Sequence, residues 1–225
     1  MPTFETQHTS SRDSNREELR KSTEALSAGS EMPKELESTL YRSSFEKDNC
    51  GFGLIAHMDG ASSHWLVDTA IKALARLTHR GAISADGKTG GGCGLLLQKP
   101  DSLMRAVAQE QGFALADNYA VGVVFLSQDA DTADKARKQV NQELEAEGLQ
   151  VAGWRVVPVD ESACGEEALK SLPQIEHVFV NPAEGMDVAT FDRHLYIARR
   201  RAEKSIQVSD DVFYIPSMTS QVVSY

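Results

Sequence analysis

The feature that most constrains the fold is an alternation of strand-like and helix-like segments that begins near Phe52 and continues along the chain. Short apolar runs of strand length are separated by longer segments in which apolar residues recur at helical spacing. Some strand-like runs follow one another without an intervening helix, as in VFYIPS and SQVVSY. This pattern favours a mixed, layered α/β sandwich over a purely parallel sheet, in which a helix would separate each pair of strands.

The helices and strands are predicted from the spacing of their apolar residues. The predicted strands are residues 52–58, 95–100, 119–126, 151–159, 175–181, 212–217 and 220–225, the first being read as a short buried strand. The predicted helices are residues 63–78, 102–111, 132–147, 166–171 and 188–206. In the first helix the apolar side chains recur every three or four residues, at Leu66, Val67, Ala70, Ile71, Leu74 and Leu77.

The first 45 or so residues differ in composition from the rest of the chain, being rich in Ser, Thr, Glu, Lys and Arg. Such a segment cannot bury enough apolar surface to offset the entropy of ordering it, so we predict that it is mobile or weakly helical. Two interpretations stay open on composition alone. The segment is either an ordinary disordered tail or a leader, residues 1–49, that must be removed.

Composition and charge restrict the class of protein. The 225-residue chain is 41% hydrophobic, with a net charge of -10 and a pI near 5.1, which suits a soluble globular protein. The acidic balance argues against nucleic acid or an anionic membrane as the main partner. There is no stretch of roughly 18 apolar residues and no secretory signal. The three cysteines are odd in number and lack a CxxC pair, so we predict no metal site and a reducing, cytoplasmic location.

Cys50, in the stretch DNCGFGLIAH, is the most reactive candidate, and it fits a core thiol, a metal ligand or a nucleophile. A Cys–His pair is conceivable, because His57, His64 and His79 lie within thirty positions. Cleavage between Asn49 and Cys50 would provide a different base. A peptide nitrogen is not basic, whereas a free α-amine has a pKa of about 7.7 to 8. Removal of the leader would then create the nucleophile and its base in one residue.

A second candidate stretch, ARLTHRGAISADGKTGGGCG, contains Arg80 near the end of the first predicted helix. A guanidinium held there suits a carboxylate or the carbonyl groups around a nucleophile. The alternative without a catalytic role is that Arg80 is a cation at the C-terminal end of a helix, where the helix dipole favours positive charge. The glycines lack the GxxxxGK[ST] order of a phosphate-binding loop, so we interpret them as a tight turn between helix and strand.

Four separated motifs, in order, resemble the N-terminal part of the large chain of bacterial glutamate synthases. They are DNCGFGLIAH, ALARLTHRGA, ADGKTGGGCGLLLQKP and the later HLYIARRRAEK with FYIPSMTS, so the resemblance covers residues 47–225. It implies a class II glutamine amidotransferase domain of the N-terminal-nucleophile hydrolase fold. That fold is an α+β, four-layer α-β-β-α sandwich, here expected to be incomplete at the C-terminus.

The resemblance also assigns roles. Cys50 becomes the nucleophile that attacks L-glutamine, its freed α-amine the general base, and Arg80 the arginine that supports the nucleophile. Cys93 and Cys164 match no catalytic role and are interpreted as small buried hydrophobic residues. No cofactor is expected in this chain. FMN and an iron–sulfur cluster belong to later domains of the full-length enzyme, whose partners include the small NAD(P)H-oxidising subunit.

Two departures from the family pattern are visible. Gly91 stands where the family usually has Asp, in TGDG. The family's oxyanion-hole Asn-Gly pair and the acidic residue that holds the substrate amine lie beyond residue 225, so we expect the chain alone to have little or no activity. The alternatives to a glutamate synthase module are another class II amidotransferase, or an inactive fragment acting at most as an interaction module.

Overall fold

The structure, a computed structural model, describes residues 51–77 and 83–225. Its helices are α1 (His64–Ala75), α2 (Asp101–Glu110), α3 (Ala130–Ala146), α4 (Glu166–Lys170) and α5 (Val188–Ile206). Its strands are β1 (Leu96–Gln98), β2 (Ala120–Leu126), β3 (Gln150–Val156), β4 (Gln174–Asn181), β5 (Tyr214–Thr219) and β6 (Val222–Ser224). A short 3₁₀ helix, Glu161–Ala163, precedes α4.

An antiparallel sheet with the strand order β3-β4-β2-β5 forms the centre of the described residues. The inner strand β2 comes from a continuous apolar run, as expected of a strand that is covered on both faces, and the inner strand β4 is buried from residue 176 to residue 181 although it contains Glu176 and His177. Gly122 allows β2 to pack closely on its neighbours, since a Cβ there would lie 2.6 Å from Cγ1 of Val178.

Helices α3 and α5 cover the first face of this sheet. Both helices begin at an aspartate whose side chain accepts a hydrogen bond from a backbone N–H of the first turn, Asp129 for α3 and Asp187 for α5. Their apolar sides meet the sheet in the larger core cluster, which includes Ala133, Ala136, Val140, Leu144, Phe191, Leu195, Ala198 and Ala202. Four alanines in this set let the two helices lie close together and to the strands.

The second face of the sheet is covered by α2 and β6. The buried residues of this smaller cluster are Met104, Val107, Ala108, Tyr119, Val121, Val123, Phe179 and Val223. Strand β6 pairs antiparallel with β1 in a separate two-stranded sheet, with Leu97 opposite Val223. The described residues therefore form an α+β structure of helices and antiparallel sheets, and the preference for a sheet that is not purely parallel is confirmed.

The first predicted strand is wrong. Residues 52–58 contain no strand, and Phe52, Leu54 and Met58 are 94%, 89% and 98% exposed. A strand requires a neighbour that accepts and donates its backbone hydrogen bonds. Within the described residues this segment has no such neighbour, and an apolar run indicates a tendency to be buried without supplying the surface that buries it.

Two other expectations about burial are corrected. Helix α1 forms where predicted, but none of its residues is buried, and Ile71 is 51% exposed. The predicted strand 95–100 shortens to three residues with Leu96 exposed, because β1 pairs only with β6 and has no second neighbour in the described part of the chain. The closing strands, in contrast, do have neighbours, since β5 pairs with β2 and β6 with β1.

Candidate functional site

The two residues predicted to be catalytic, Cys50 and Arg80, both lie outside the described residues. Cys50 directly precedes Gly51 in the sequence, and Arg80 precedes Ile83 by three residues. Their roles as nucleophile and supporting arginine therefore stay predictions, and we describe the segments that flank them.

Residues 51–57 form no helix or strand, and all of them are exposed except the partly buried Ile55, until the chain turns after His57. The backbone N–H of Gly60 donates to the His57 carbonyl at 3.0 Å, and Gly60 has the positive φ of +69° that such a turn favours. Nδ1 of His57 accepts a hydrogen bond from the backbone N–H of Asp59 at 3.2 Å. One ring nitrogen of His57 is thus used within the turn, which weakens the case for this residue as the base of a Cys–His pair.

The segment before Arg80 is helix α1. Ser63 caps it by accepting a hydrogen bond from the backbone N–H of Leu66 at 3.3 Å, which decides between Ser62 and Ser63, the two cap residues that the sequence allows. The helix ends at Ala75, three residues before the predicted end at Thr78. Both His79, the other histidine considered as a base, and Thr78 lie outside the described residues. His64, the first residue of α1, has an exposed side chain.

The stretch that follows Arg80 forms a closed loop, which we call the glycine loop and define as residues 83–92. A β-bridge joins Ile83 to Gly90, and the backbone N–H of Ser84 donates to the Thr89 carbonyl at 2.8 Å. Gly87 has a φ of +70°, a conformation that favours glycine. A hydrogen-bonded turn thus forms at residues 84–87, whereas Gly90 lies in the bridge and Gly91 in an exposed bend, so the predicted tight turn is one part of a longer loop.

The glycine loop is organised around the carboxylate of Asp86. Oδ1 accepts hydrogen bonds from the backbone N–H groups of Lys88 at 2.9 Å and Thr89 at 2.8 Å, and Oδ2 accepts from the Thr89 hydroxyl at 2.5 Å. A fourth donor, the backbone N–H of Glu167, lies 3.3 Å from Oδ2. These donors, the Thr89 hydroxyl foremost, hold the pKa of Asp86 far below its ordinary value, so the group is an anion at physiological pH.

The other two cysteines are less buried than predicted. Cys93 is exposed and Cys164 is only partly buried, and both are free thiols. Cys93 directly follows the glycine loop, whose small residues supply few side-chain atoms that could cover it. The interpretation of Cys93 as a buried hydrophobic residue is therefore wrong, and that of Cys164 holds only in part.

A buried histidine, His177, was missed by the sequence analysis. It lies on β4 facing the second face of the sheet, is 1% exposed, and its Nε2 is 3.0 Å from the Tyr225 hydroxyl. Nδ1 is buried without a hydrogen-bond partner among the described residues. Burial first, and then the charge of Arg155 opposite it on β3, lower the pKa of His177 to about 4. Its alternation with Ile175 and Phe179 could have indicated this burial.

Neither a metal site nor a membrane span is found in residues 51–77 and 83–225. No group of three or more His, Cys, Asp or Glu side chains in this part of the chain is arranged to hold a metal ion. No helix in it is both long and apolar enough to cross a bilayer.

Comparison with known proteins gives a consistent result. A family model described as "Glutamine amidotransferases class-II" matches residues 50–225. The glutamate synthase [NADPH] large chain of Bacillus subtilis is 40% identical over 187 residues, which cover 83% of this chain and 12% of that protein. The corresponding large chain of Azospirillum brasilense is 37% identical over 193 residues, covering 84% and 13%. The chloroplastic ferredoxin-dependent glutamate synthase 2 of Arabidopsis thaliana is 34% identical over 184 residues, covering 80% and 11%. The chain thus spans about an eighth of the length of these curated relatives.

Proposed function

Since the chain belongs to the class II glutamine amidotransferases, we propose that it is the N-terminal part of the glutaminase module of a glutamate synthase, and that the complete module hydrolyses L-glutamine to glutamate and ammonia. The observation that carries this proposal is the position at which the family match begins. Its first residue is Cys50, the cysteine that the sequence analysis selected on chemical grounds. A match that started at another residue would not have distinguished Cys50 from the other cysteines.

The proposed reaction uses one residue twice. The Cys50 thiol gives its proton to its own α-amine, and the sulfur attacks the side-chain amide carbon of glutamine. The carbon–nitrogen bond then breaks, the nitrogen takes the proton and leaves as ammonia, and a thioester remains. Water attacks the thioester carbon, the carbon–sulfur bond breaks, and glutamate and the thiol are released.

The remaining assignments belong to the same proposal. Residues 1–49 are a leader that is removed to free the α-amine of Cys50, and residues 50–225 are the N-terminal part of the amidotransferase domain. We place Arg80 beside the nucleophile, where its planar fork of N–H donors can hold a carboxylate or a carbonyl. The two antiparallel sheets, with α3 and α5 outside one of them, are the part of a four-layer α-β-β-α sandwich that these residues supply.

We assign no cofactor to this chain. In the proposed assembly the FMN and the iron–sulfur cluster are held by other synthase domains, which use the ammonia to convert 2-oxoglutarate into glutamate. Those domains and a small NAD(P)H-oxidising subunit are the proposed protein partners, and the proposed location is the cytoplasm.

The test is covalent labelling by an electrophilic glutamine analogue, a γ-diazoketone, with the modified residue located by peptide mass spectrometry. We expect labelling at Cys50 in a complete amidotransferase domain that begins there and continues past residue 225, and its loss in Cys50→Ala. Because Cys93 is exposed and Cys164 partly buried, the Cys93→Ala and Cys164→Ala variants control for general thiol reactivity. Labelling that persists in Cys50→Ala, or that free glutamine does not slow, contradicts the assignment.

Replacement of Arg80 tests its proposed role in the same assay. Arg80→Met removes both the charge and the donors, whereas Arg80→Lys keeps the charge and loses the planar fork. We expect slower labelling in both variants, with only partial recovery in Arg80→Lys. Labelling at the original rate in Arg80→Met would mean that the arginine lies away from the nucleophile.

A further inference from the structure

A motif of aspartate followed three residues later by threonine has the same internal hydrogen bonds at three places. In each, the aspartate carboxylate accepts from the backbone N–H and from the hydroxyl of the threonine: Asp86 with Thr89, Asp129 with Thr132 and Asp187 with Thr190. At Asp129 and Asp187 this arrangement caps the helix that begins at the next residue, α3 and α5 respectively. No helix follows Asp86, so its motif needs another explanation.

The helix served by Asp86 and Thr89 is α4, which lies about eighty residues away in the sequence. The residue at the N-cap position of α4 is Gly165, which makes no side-chain capping hydrogen bond. Its place is taken by the glycine loop, because the backbone N–H of Glu167 donates to Oδ2 of Asp86 at 3.3 Å. The next N–H, that of Ala168, donates to the Thr89 hydroxyl oxygen at 3.2 Å. These are the second and third residues of α4, whose N–H groups an N-cap side chain ordinarily accepts from.

Glycine is needed at position 165 because it has no side chain, and not because of its backbone conformation. Its φ of -78° and ψ of 161° are open to any residue. A Cβ at this position, however, would lie 2.3 Å from the Thr89 hydroxyl oxygen and 2.4 Å from Oδ2 of Asp86. The side chains of Asp86 and Thr89 thus occupy the space that a side chain at position 165 would need.

We infer that Asp86 and Thr89 are positioning residues of the proposed glutaminase, which fix to α4 the glycine loop that follows Arg80 in the sequence. The inference rests on the proposed function, because it assigns the loop to the same reaction. The loop is closed at its base by the Ile83–Gly90 bridge, so a constraint at Asp86 and Thr89 is transmitted to Ile83. In the sequence, Arg80 precedes Ile83 by three residues.

A matched pair of substitutions at Thr89 tests this role. Thr89→Val has nearly the same shape but loses the hydroxyl that donates to Asp86 and accepts from Ala168, whereas Thr89→Ser keeps it. We expect Thr89→Val to lower the maximal rate of Cys50 labelling by the γ-diazoketone about 10- to 100-fold, the range that misplacement by about 1 Å can produce. Thr89→Ser should restore most of this rate.

Gly165→Ser separates the loop from the helix. A serine at the N-cap can accept from the first-turn N–H groups of α4 with its own hydroxyl, so α4 keeps a cap. Its Cβ displaces Asp86 and Thr89, so the loop loses its anchor. We expect slow labelling at Cys50 here as well. The matched control is Asp129→Asn, which alters the same motif where it caps only its own helix, and there the labelling rate should be unchanged.

Hydrogen exchange distinguishes the possible failures. In Thr89→Val the backbone amide of Ala168 should exchange faster than in the original chain, whether or not any labelling occurs. Unchanged exchange at this amide would refute the anchor itself. Faster exchange with labelling at the original rate would leave the anchor and refute its positioning role. Absence of labelling at Cys50 in the unsubstituted complete domain would refute the proposed glutaminase and, with it, the positioning role.

Discussion

The Tyr225 hydroxyl lies 3.0 Å from Nε2 of His177, and this contact ties the residue after β6 to the middle of β4. The two rings meet edge to face with their centroids 5.6 Å apart. His177 also meets Phe179 edge to face, at 6.1 Å. The histidine thus lies among aromatic rings, with Arg155 as the cationic group opposite it on β3, an environment that favours the neutral ring.

The stability of the chain should therefore fall in mild acid, in part because of His177. Its pKa is about 4 in the folded state against about 6.5 in the unfolded chain, so the unfolded state binds more protons between these values. Its contribution is complete above pH 6.5 and is lost as the pH falls towards 4. Linkage gives a loss of about 2 kcal/mol between pH 7 and pH 5. Urea unfolding at both pH values measures it.

The variant His177→Gln separates the contribution of His177 to the pH dependence of stability from that of the carboxylates, which are present in every variant. Glutamine keeps polar atoms near the Tyr225 hydroxyl but does not titrate, so we expect the difference in unfolding free energy between pH 7 and pH 5 to shrink by about 2 kcal/mol. His64→Gln, which replaces an exposed histidine by the same residue, glutamine, is the matched control. An equal pH dependence in His177→Gln and the original chain would show that His177 is not the responsible group.

A second prediction concerns the ion pair under α3. Glu176 is 2% exposed, and its carboxylate receives two hydrogen bonds from Arg137, Nε to Oε2 at 2.9 Å and Nη2 to Oε1 at 2.7 Å. Arg137→Met would leave a buried carboxylate without its cation. We expect a loss of about 3–5 kcal/mol in unfolding free energy at pH 7, measured by urea denaturation.

Removal of both charges is the control for this loss. In Arg137→Met with Glu176→Leu no buried charge remains, and apolar residues of similar size can replace a buried pair at little net cost. We expect the double variant to recover most of the stability that Arg137→Met loses. If both variants are equally unstable, the packing of the Arg137 stem is responsible and the charge is not.

The third prediction concerns Gly153, which adjoins a register shift in β3. A Cβ there would lie 2.3 Å from Cε1 of Phe113, whose ring packs on Phe179 at a centroid distance of 5.7 Å. Gly153→Ala should therefore cost about 1–3 kcal/mol through overpacking, despite the lower entropy of alanine in the unfolded chain. Adding Phe113→Leu should return part of the lost stability. A urea midpoint at or above the original in Gly153→Ala would show that the ring moves aside freely.

These contacts mark the boundary of what the sequence could predict. Strands β2 and β4 and helices α3 and α5 were predicted well, because the spacing of apolar residues reflects the burial that forms them. The same spacing led to an incorrect strand at residues 52–58, since it shows a preference for burial and cannot supply a partner strand. His177 was missed for the opposite reason, being a polar residue within an apolar run.

The contact between Asp86 and α4 could not be predicted from the sequence, for a different reason. The requirement for glycine at position 165 comes from two side chains about eighty residues earlier, and nothing in the local sequence around Gly165 indicates it. Cys50 and Arg80, by contrast, were selected by chemical type and by resemblance. The family match supports the choice of Cys50, and both roles stay predictions.

The last prediction concerns the general base. If the α-amine of Cys50 accepts the thiol proton, it must be free and neutral. A complete amidotransferase domain that begins at Cys50 should then be labelled by the γ-diazoketone at a rate that rises as the pH passes through about 7.7 to 8, the usual range of an α-amine. The mass of the active protein should lack residues 1–49, which intact-mass spectrometry and N-terminal sequencing measure.

One added residue provides the matched control. A chain with a single alanine before Cys50 keeps the thiol in the same sequence, but its Cys50 nitrogen is an amide, and the nearest amine is displaced by one residue. We expect its labelling rate to fall about 100-fold or more, as expected for loss of a positioned general base, and its dependence on pH near 8 to change to that of an unassisted thiol, whose pKa is about 8.5. Equal rates with and without the alanine would refute the α-amine as base. In that case a histidine would be the candidate general base. His57 and His64 are both exposed in the described residues. The variants His57→Gln and His64→Gln would then decide between those two.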